Sequence, residues 1–245
     1  MLGEITVPII DNDIYVLAVT QKFVIVNNSY EGILIFNKNL EKIDVYEICS
    51  DLMIYQVYSD YNTDTIVIHD AESGTMYIIY LRDKKQIVIK DQFLPYTEFC
   101  YFEENSFLLR RLDYMYKFSL LTGEVIEKKF QKEKIIANNQ DEYIIELDEE
   151  TLIYKNKEMK IVLSFSEVTT SIDVKNRYII LYDETYLELF YLDKIIGKYT
   201  VNQKMELRKA VIDRDCIYFI LNKKNDTTEN VIHKMTIDEV RKNSK

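Results

Sequence analysis

Six polar residues recur at roughly forty-residue spacing: Thr20, Gln56, Glu98, Asn138, Asp173 and Asp213. Carboxylates and amides converging on one axis could hold a hard cation such as calcium, which takes six to eight oxygen ligands. A metal-dependent hydrolase or lactonase working at a channel mouth would be built that way. The plainer role for the same groups is to hydrate a water-filled channel. No Asp/Asn/Gly loop of calcium-binding type accompanies them, so neither a metal nor a cofactor is expected. Other catalytic chemistry is poorly supplied. There is no Gly-x-Ser-x-Gly, and the two histidines, His69 and His233, lie in no triad pattern and at no metal-ligand spacing. Five glycines are too few and too scattered for a phosphate-binding loop.

Recognition is better supplied. The chain has 20 tyrosines, a residue that suits strands and can also serve as a rigid anchor at an interface. The segment Asp91–Phe99, "DQFLPYTEF", reads as a connector, yet it carries Phe93, Leu94 and Tyr96. Tyr55, Tyr58 and Tyr61 occupy the equivalent region one repeat earlier. These six are the expected partner-binding residues, because an apolar cluster left exposed marks an interface. The expected channel-lining residues are Gln56, Glu98, Asn138, Asp173 and Asp213.

Both groups of residues need a frame, and the hydrophobic pattern supplies one. "KFVIVNN", "TIVIHD", "SFLLRRLD", "EYIIELDE", "RYIILYDE" and "CIYFILNKK" follow one another along the chain. Their spacing is roughly 35 to 43 residues, the period of propeller blades. Each is preceded by one strand-like run and followed by two more, which predicts six units of four strands. The second strand of each unit is almost continuously apolar. Alternation is expected where one sheet face is wet, so these strands should be covered on both faces, as in sheets stacked side by side. Asn and Asp close most of the runs and favour tight turns.

The predicted fold is therefore all-β: a single six-bladed propeller of four-stranded blades. The blades span about residues 12–49, 50–94, 95–131, 132–166, 167–203 and 204–240. The last lacks a good outer strand, since "EVRKNSK" is too polar and should fray. Glu4–Ile10, "EITVPII", is expected to supply that strand, with Pro8 tolerated at a sheet edge. "NKKNDTTEN", from Asn222, is expected to be a long mobile hairpin loop. Arg110 and Glu146 interrupt apolar runs at matching repeat positions, and Arg110, or Arg111 in its place, is expected to compensate Glu146 across the third and fourth blades.

Met115–Phe130, "MYKFSLLTGEVIEKKF", resembles the strand–turn–strand half of repeats in bacterial propellers of the WD40-like and quinoprotein-like kinds. The chain has no tryptophan, so the Trp-Asp signature of WD40 repeats is absent. The resemblance implies six blades and transfers no functional residue.

A net charge of −10 opposes binding to nucleic acid or to an anionic membrane, and it suits a neutral or basic protein or peptide. Cys49, Cys100 and Cys216 form no Cys-x-x-Cys pair and are expected to be reduced and largely buried. The N-terminus lacks the pattern of a secretory signal, so the cytoplasm is the expected location. Taken together, these features predict a non-catalytic binding scaffold, such as an accessory or immunity protein. An enzyme acting at the channel mouth is the alternative.

Overall fold

A computed structural model of the 245-residue chain describes residues 4–90, 97–130, 133–139, 142–148, 151–164 and 171–242, with the backbone alone at 97–101 and 138–139. After the strand β1 (Ile5–Ile10), the chain forms one antiparallel meander after another. The first sheet is β2 (Leu17–Val19), β3 (Phe23–Asn28), β4 (Gly32–Asn37) and β5 (Lys42–Glu47). The second is β6 (Ile54–Asp60), β7 (Thr65–Asp70), β8 (Thr75–Tyr80) and β9 (Lys85–Lys90). The third is β10 (Thr97–Glu103), β11 (Ser106–Arg111), β12 (Tyr114–Ser119) and β13 (Val125–Phe130).

The fourth sheet is β14 (Lys134–Asn139), β15 (Glu142–Glu146), β16 (Thr151–Lys155) and β17 (Lys160–Ser164). The fifth is β18 (Ser171–Lys175), β19 (Tyr178–Tyr182), β20 (Tyr186–Tyr191) and β21 (Lys194–Thr200). The sixth is β22 (Met205–Asp213), β23 (Cys216–Lys223) and β24 (Asp226–Thr236), completed by β1, which pairs with β24 from Ile5↔Lys234 to Ile10↔Glu229. The chain is a six-bladed β-propeller whose last blade takes its outer strand from the N-terminus.

Two compact units divide the chain: residues 18–132, and residues 1–17 together with 133–245. In the second of these, β19 explains why its sequence does not alternate. Ile180 and Tyr182 pack with Leu189, Leu207, Ile217 and Phe219 on the sixth-sheet side. Ile179 and Leu181 pack with Ile144, Tyr154 and Leu163 on the fourth-sheet side. Both faces of the strand are core, and each fully buried aliphatic chain contributes about 1.5–3 kcal/mol. In the unit of residues 18–132, Tyr58, Val67, Met76 and Ile78 meet Phe107, Leu109 and Phe118 between the second and third sheets. The rings of Phe107 and Phe118 stack there at 5.1 Å.

Three local expectations are corrected. The C-terminal tail does not fray from the end of β24 but turns into the helix α1 (Ile237–Lys242). Thr236 Oγ1 accepts from Glu239 N at 3.2 Å, and Glu239 Oε2 accepts from Thr236 N at 2.7 Å, a reciprocal cap that satisfies two helix-end donors. Ile237 and Val240 then pack into the core beside β21. Gly197 permits that approach, since a Cβ there would lie 3.1 Å from the Val240 backbone. Residues 222–230 form no long loop: β23 and β24 run on to a tight turn with Asn225 at φ 67°. Asn222 and Asn230 are buried in that hairpin, and their amides donate to the carbonyls of Ile14 and Asn12. Finally, Cys49 and Cys216 are free thiols but only half-buried, and the Cys100 side chain lies outside the described residues.

Candidate functional site

The candidate channel residues sit where the repeat put them, on or just after the first strand of each sheet. Thr20 is buried after β2, its Oγ1 accepting from Phe23 N at 3.2 Å. Gln56, on β6, accepts the Tyr58 hydroxyl at 2.9 Å. For Glu98 on β10 and Asn138 on β14 only the backbone is described. Asp173 and Asp213 come together on neighbouring β18 and β22. Lys175 Nζ lies 2.9 Å from Asp213 Oδ1, and both side chains are almost wholly buried. Asp173 Oδ2 accepts from Ile212 N at 2.8 Å, which ties β18 to β22 a second time.

Burial raises the Asp173 pKa to about 6, against the pull of the Ile212 and Val174 N–H groups and of Lys209 and Lys175. The Lys175 pKa is lowered, burial outweighing the attraction of Asp213. A perturbed carboxyl of this kind could serve as a general acid or base, but such shifts also arise in structural ion-pair networks. Here each carboxylate has an oxygen committed to the neighbouring strand, and among the described residues no three His, Cys, Asp or Glu side chains come close enough to hold a metal. The arrangement is that of a staple between first strands. Of the other expected pair, Arg110 Nε donates to the Leu112 carbonyl at 2.9 Å, and Glu146 is bridged by Lys134 at 2.9 Å across β14 and β15. Each therefore has a partner within its own sheet.

The three tyrosines of the second repeat are not connector residues, and they separate. Tyr55 is the extra residue of a bulge in β6, between Ile54 and Gln56, and is 61% exposed. Tyr58 is corrected from surface anchor to core: it is 4% exposed among Val67 and Phe107. A strand sends successive side chains to opposite faces, and the Tyr58 position falls on the face between the second and third sheets. Tyr61, half-buried at the far end of β6, lies under Lys38 at 5.7 Å and accepts Gln21 N through its carbonyl. Phe93, Leu94 and Tyr96 lie outside the described residues.

Strand direction shows what joins Tyr55. In the unit of residues 18–132, β6 and β10 start at one end of their sheets, and the turns after β3, β7 and β11 close at that same end. The stacking is in step: at the opposite end, the Tyr80 hydroxyl donates to the Leu120 carbonyl. At the Tyr55 end, Tyr30, Met53, Leu112, Tyr114 and Phe130 are also exposed. Leu112 is 75% and Phe130 65% exposed. The Tyr114 and Phe130 rings meet edge-on at 6.0 Å, and Lys128 Nζ stands 4.4 Å over Tyr114. Exposed Glu31, Glu47 and Glu72 flank Tyr30, Met53 and Tyr55, whereas Lys128 and Lys129 flank Phe130. The sequence signal for these residues was the strand direction itself, which sends the end of every fourth strand and the start of every third strand to one rim.

No protein-family model matches the chain, and no curated protein matches its sequence. Among solved structures it is similar to Hsv2 of Kluyveromyces lactis, at 12% identity and a TM-score of 0.53 over 86% of this chain and 74% of that one. Hsv2 of Kluyveromyces marxianus is similar at 10% identity and a TM-score of 0.55, over 86% and 76%. A form of the Kluyveromyces lactis protein with loop 6CD replaced by a Gly-Ser linker is similar at 12% and 0.53, over 89% and 79%. At these identities the likeness is one of fold.

Proposed function

We propose that this propeller is a non-catalytic scaffold that binds a protein or peptide at the Tyr55 end of residues 18–132. The observation that carries the reading is the gathering of Tyr30, Met53, Tyr55, Leu112, Tyr114 and Phe130, all exposed, on one end of a rigid frame. Aromatic side chains on strands and tight turns lose little entropy on binding and make effective anchors. Leu112 strengthens the argument. It sits at φ 55°, where a side chain costs about 1–2 kcal/mol that glycine would not, and it is exposed as well. Neither local geometry nor the core accounts for a leucine there, whereas a partner surface does.

Charge suggests how the partner lies. Basic or neutral groups suit the glutamates around Tyr55, and acidic ones suit Lys128 and Lys129 beside Phe130. An accessory or immunity role in the cytoplasm, where the free thiols Cys49 and Cys216 would stay reduced, fits this reading.

The test compares wild-type chain with Phe130→Ser, Tyr114→Ser and Leu112→Gly as baits, followed by titration of the captured partner. Binding should weaken about tenfold or more in each variant. Leu112→Gly should melt no lower than wild type, because it relieves backbone strain. Equal binding by all four proteins would overturn the assignment of this end.

A further inference from the structure

The two histidines are buried to a similar degree but are used differently. His233 has a polar neighbour at each nitrogen: Nδ1 lies 3.0 Å from Thr6 Oγ1, and Nε2, though it makes no well-aligned hydrogen bond, lies at ion-pair distance, 2.9 Å, from Glu4 Oε1. His69 is 3% exposed, and its buried Nε2 has no hydrogen-bond partner among the described residues. Buried polar groups are nearly always satisfied, so an exception calls for an explanation. The position of His69 offers one. It shares a face of β7 with Val67 and pairs with Gln56 on β6 and Met76 on β8. Along that face it is the last residue before the end that carries the exposed aromatics. Its immediate neighbour there is Tyr55, whose ring stands edge-on at 5.8 Å and 84°.

We propose that His69 Nε2 is the polar floor of an anchor pocket, covered by Tyr55, that accepts a phenol: a tyrosine side chain of the bound partner. The ligand class follows from the surroundings. A hydroxyl both donates and accepts, so it satisfies Nε2 in either imidazole tautomer. A neutral group is required, since His69 is 3% exposed and a charged ligand would lose its hydration there. An aromatic ring fits because the edge-on position against the imidazole is already taken by one, the Tyr55 ring. That ring belongs to the extra residue of a bulge and is mostly exposed, so moving it aside disrupts little packing.

The inference rests on the partner-binding reading only in assigning the phenol to a partner, and it can be tested with no partner present. The full chain is titrated with 4-methylphenol and, separately, with toluene, and the imidazole ¹H–¹⁵N resonances are followed. With only two histidines, His69→Gln assigns both signals. 4-Methylphenol should shift the His69 resonances saturably and leave those of His233 unmoved. Toluene should bind about tenfold more weakly, since a site built for a hydroxyl discriminates against its absence. Tyr55→Ala should tighten binding by removing the cover. In His69→Leu, or in His69→Gln if the first variant misfolds, the preference for the phenol should disappear. No shift at His69, equal affinity for the two probes, or an unchanged preference in both His69 variants would overturn the pocket. Any of these results would leave the surface role of Phe130 and Leu112 to its own binding test.

Discussion

Single ionisable residues set two measurable properties of the chain. Lys175 and Asp213 form a buried pair between first strands. Such a pair is worth little compared with apolar replacements, but breaking it leaves a charge buried alone. Lys175→Met should therefore lower the unfolding free energy by about 3–5 kcal/mol, and adding Asp213→Leu should restore most of the loss. Urea unfolding of the two variants measures this, and an equal loss in both would show that the pair is not the relevant unit. Asp173 gives a pH signature. Its folded pKa of about 6 lies above the ordinary 3.8, so the native chain holds this proton more tightly than the unfolded chain does. The resulting stability is full below the ordinary value and is lost as pH rises through 6. His69 and His233 act in the opposite sense, because burial lowers their pKa and stability falls as pH drops below the ordinary histidine value of 6.5. Asp173→Asn should thus gain on wild type between pH 4 and pH 7. A difference that does not change across that range would remove the assignment.

Among the elements, the N-terminal strand bears the most on the fold. β1 gives β24 its outer partner along six residue pairs, and Thr6 and Glu4 engage His233. Deleting residues 1–10 should lower the melting temperature by about 10 °C or more, as expected for a loss of several kcal/mol in a chain of this size. An unchanged melt would show that β1 is dispensable. This closure was legible from composition, because the sixth repeat lacked an apolar fourth run and "EITVPII" had no other place. The helix that follows β24 was also written in the sequence: Thr236-Ile237-Asp238-Glu239 is a capping pattern. By composition alone the segment points to a frayed end, because the polar residues after it outweigh the two apolar ones that pack. Asn222 and Asn230 looked like loop residues for a similar reason. Asparagine favours turns locally, but a buried amide with a backbone carbonyl to donate to is stable in a strand.

At the scale of the whole molecule, charge and surface chemistry limit the partners. The net charge is −10, and Lys128 and Lys129 form only a small basic corner beside Phe130. Such a corner releases too few counterions to hold a polyanion at physiological salt. The chain should pass unretained through a heparin column at about 150 mM salt, and retention there would reopen nucleic acid as a partner. The proposed docking through apolar anchors does not depend on such a charge. Of the expected binding residues, Tyr55 stands on the exposed end, Tyr58 is core, and Tyr61 lies at the other end of its strand. A three-residue spacing in a connector implies no common face, and a bulge in β6 further changes which side chains share one.

The sequence by itself determined the six-fold repeat, the four strands in each unit, the strands buried on both faces and the use of the N-terminus as an outer strand. Each of these is written as periodicity or composition along the chain, and burying apolar side chains on both faces of a strand leaves few other arrangements. Only the tertiary structure decided which polar groups were already engaged and which aromatic residues shared an end. The Lys175–Asp213 pair joins residues on different blades, the Nε2 of His69, unbonded among the described residues, is defined by what surrounds it in space, and the exposed residues of the Tyr55 end come from all three sheets of one unit. These are relations between side chains distant in sequence, and hydrophobic patterning alone does not fix their distance or direction.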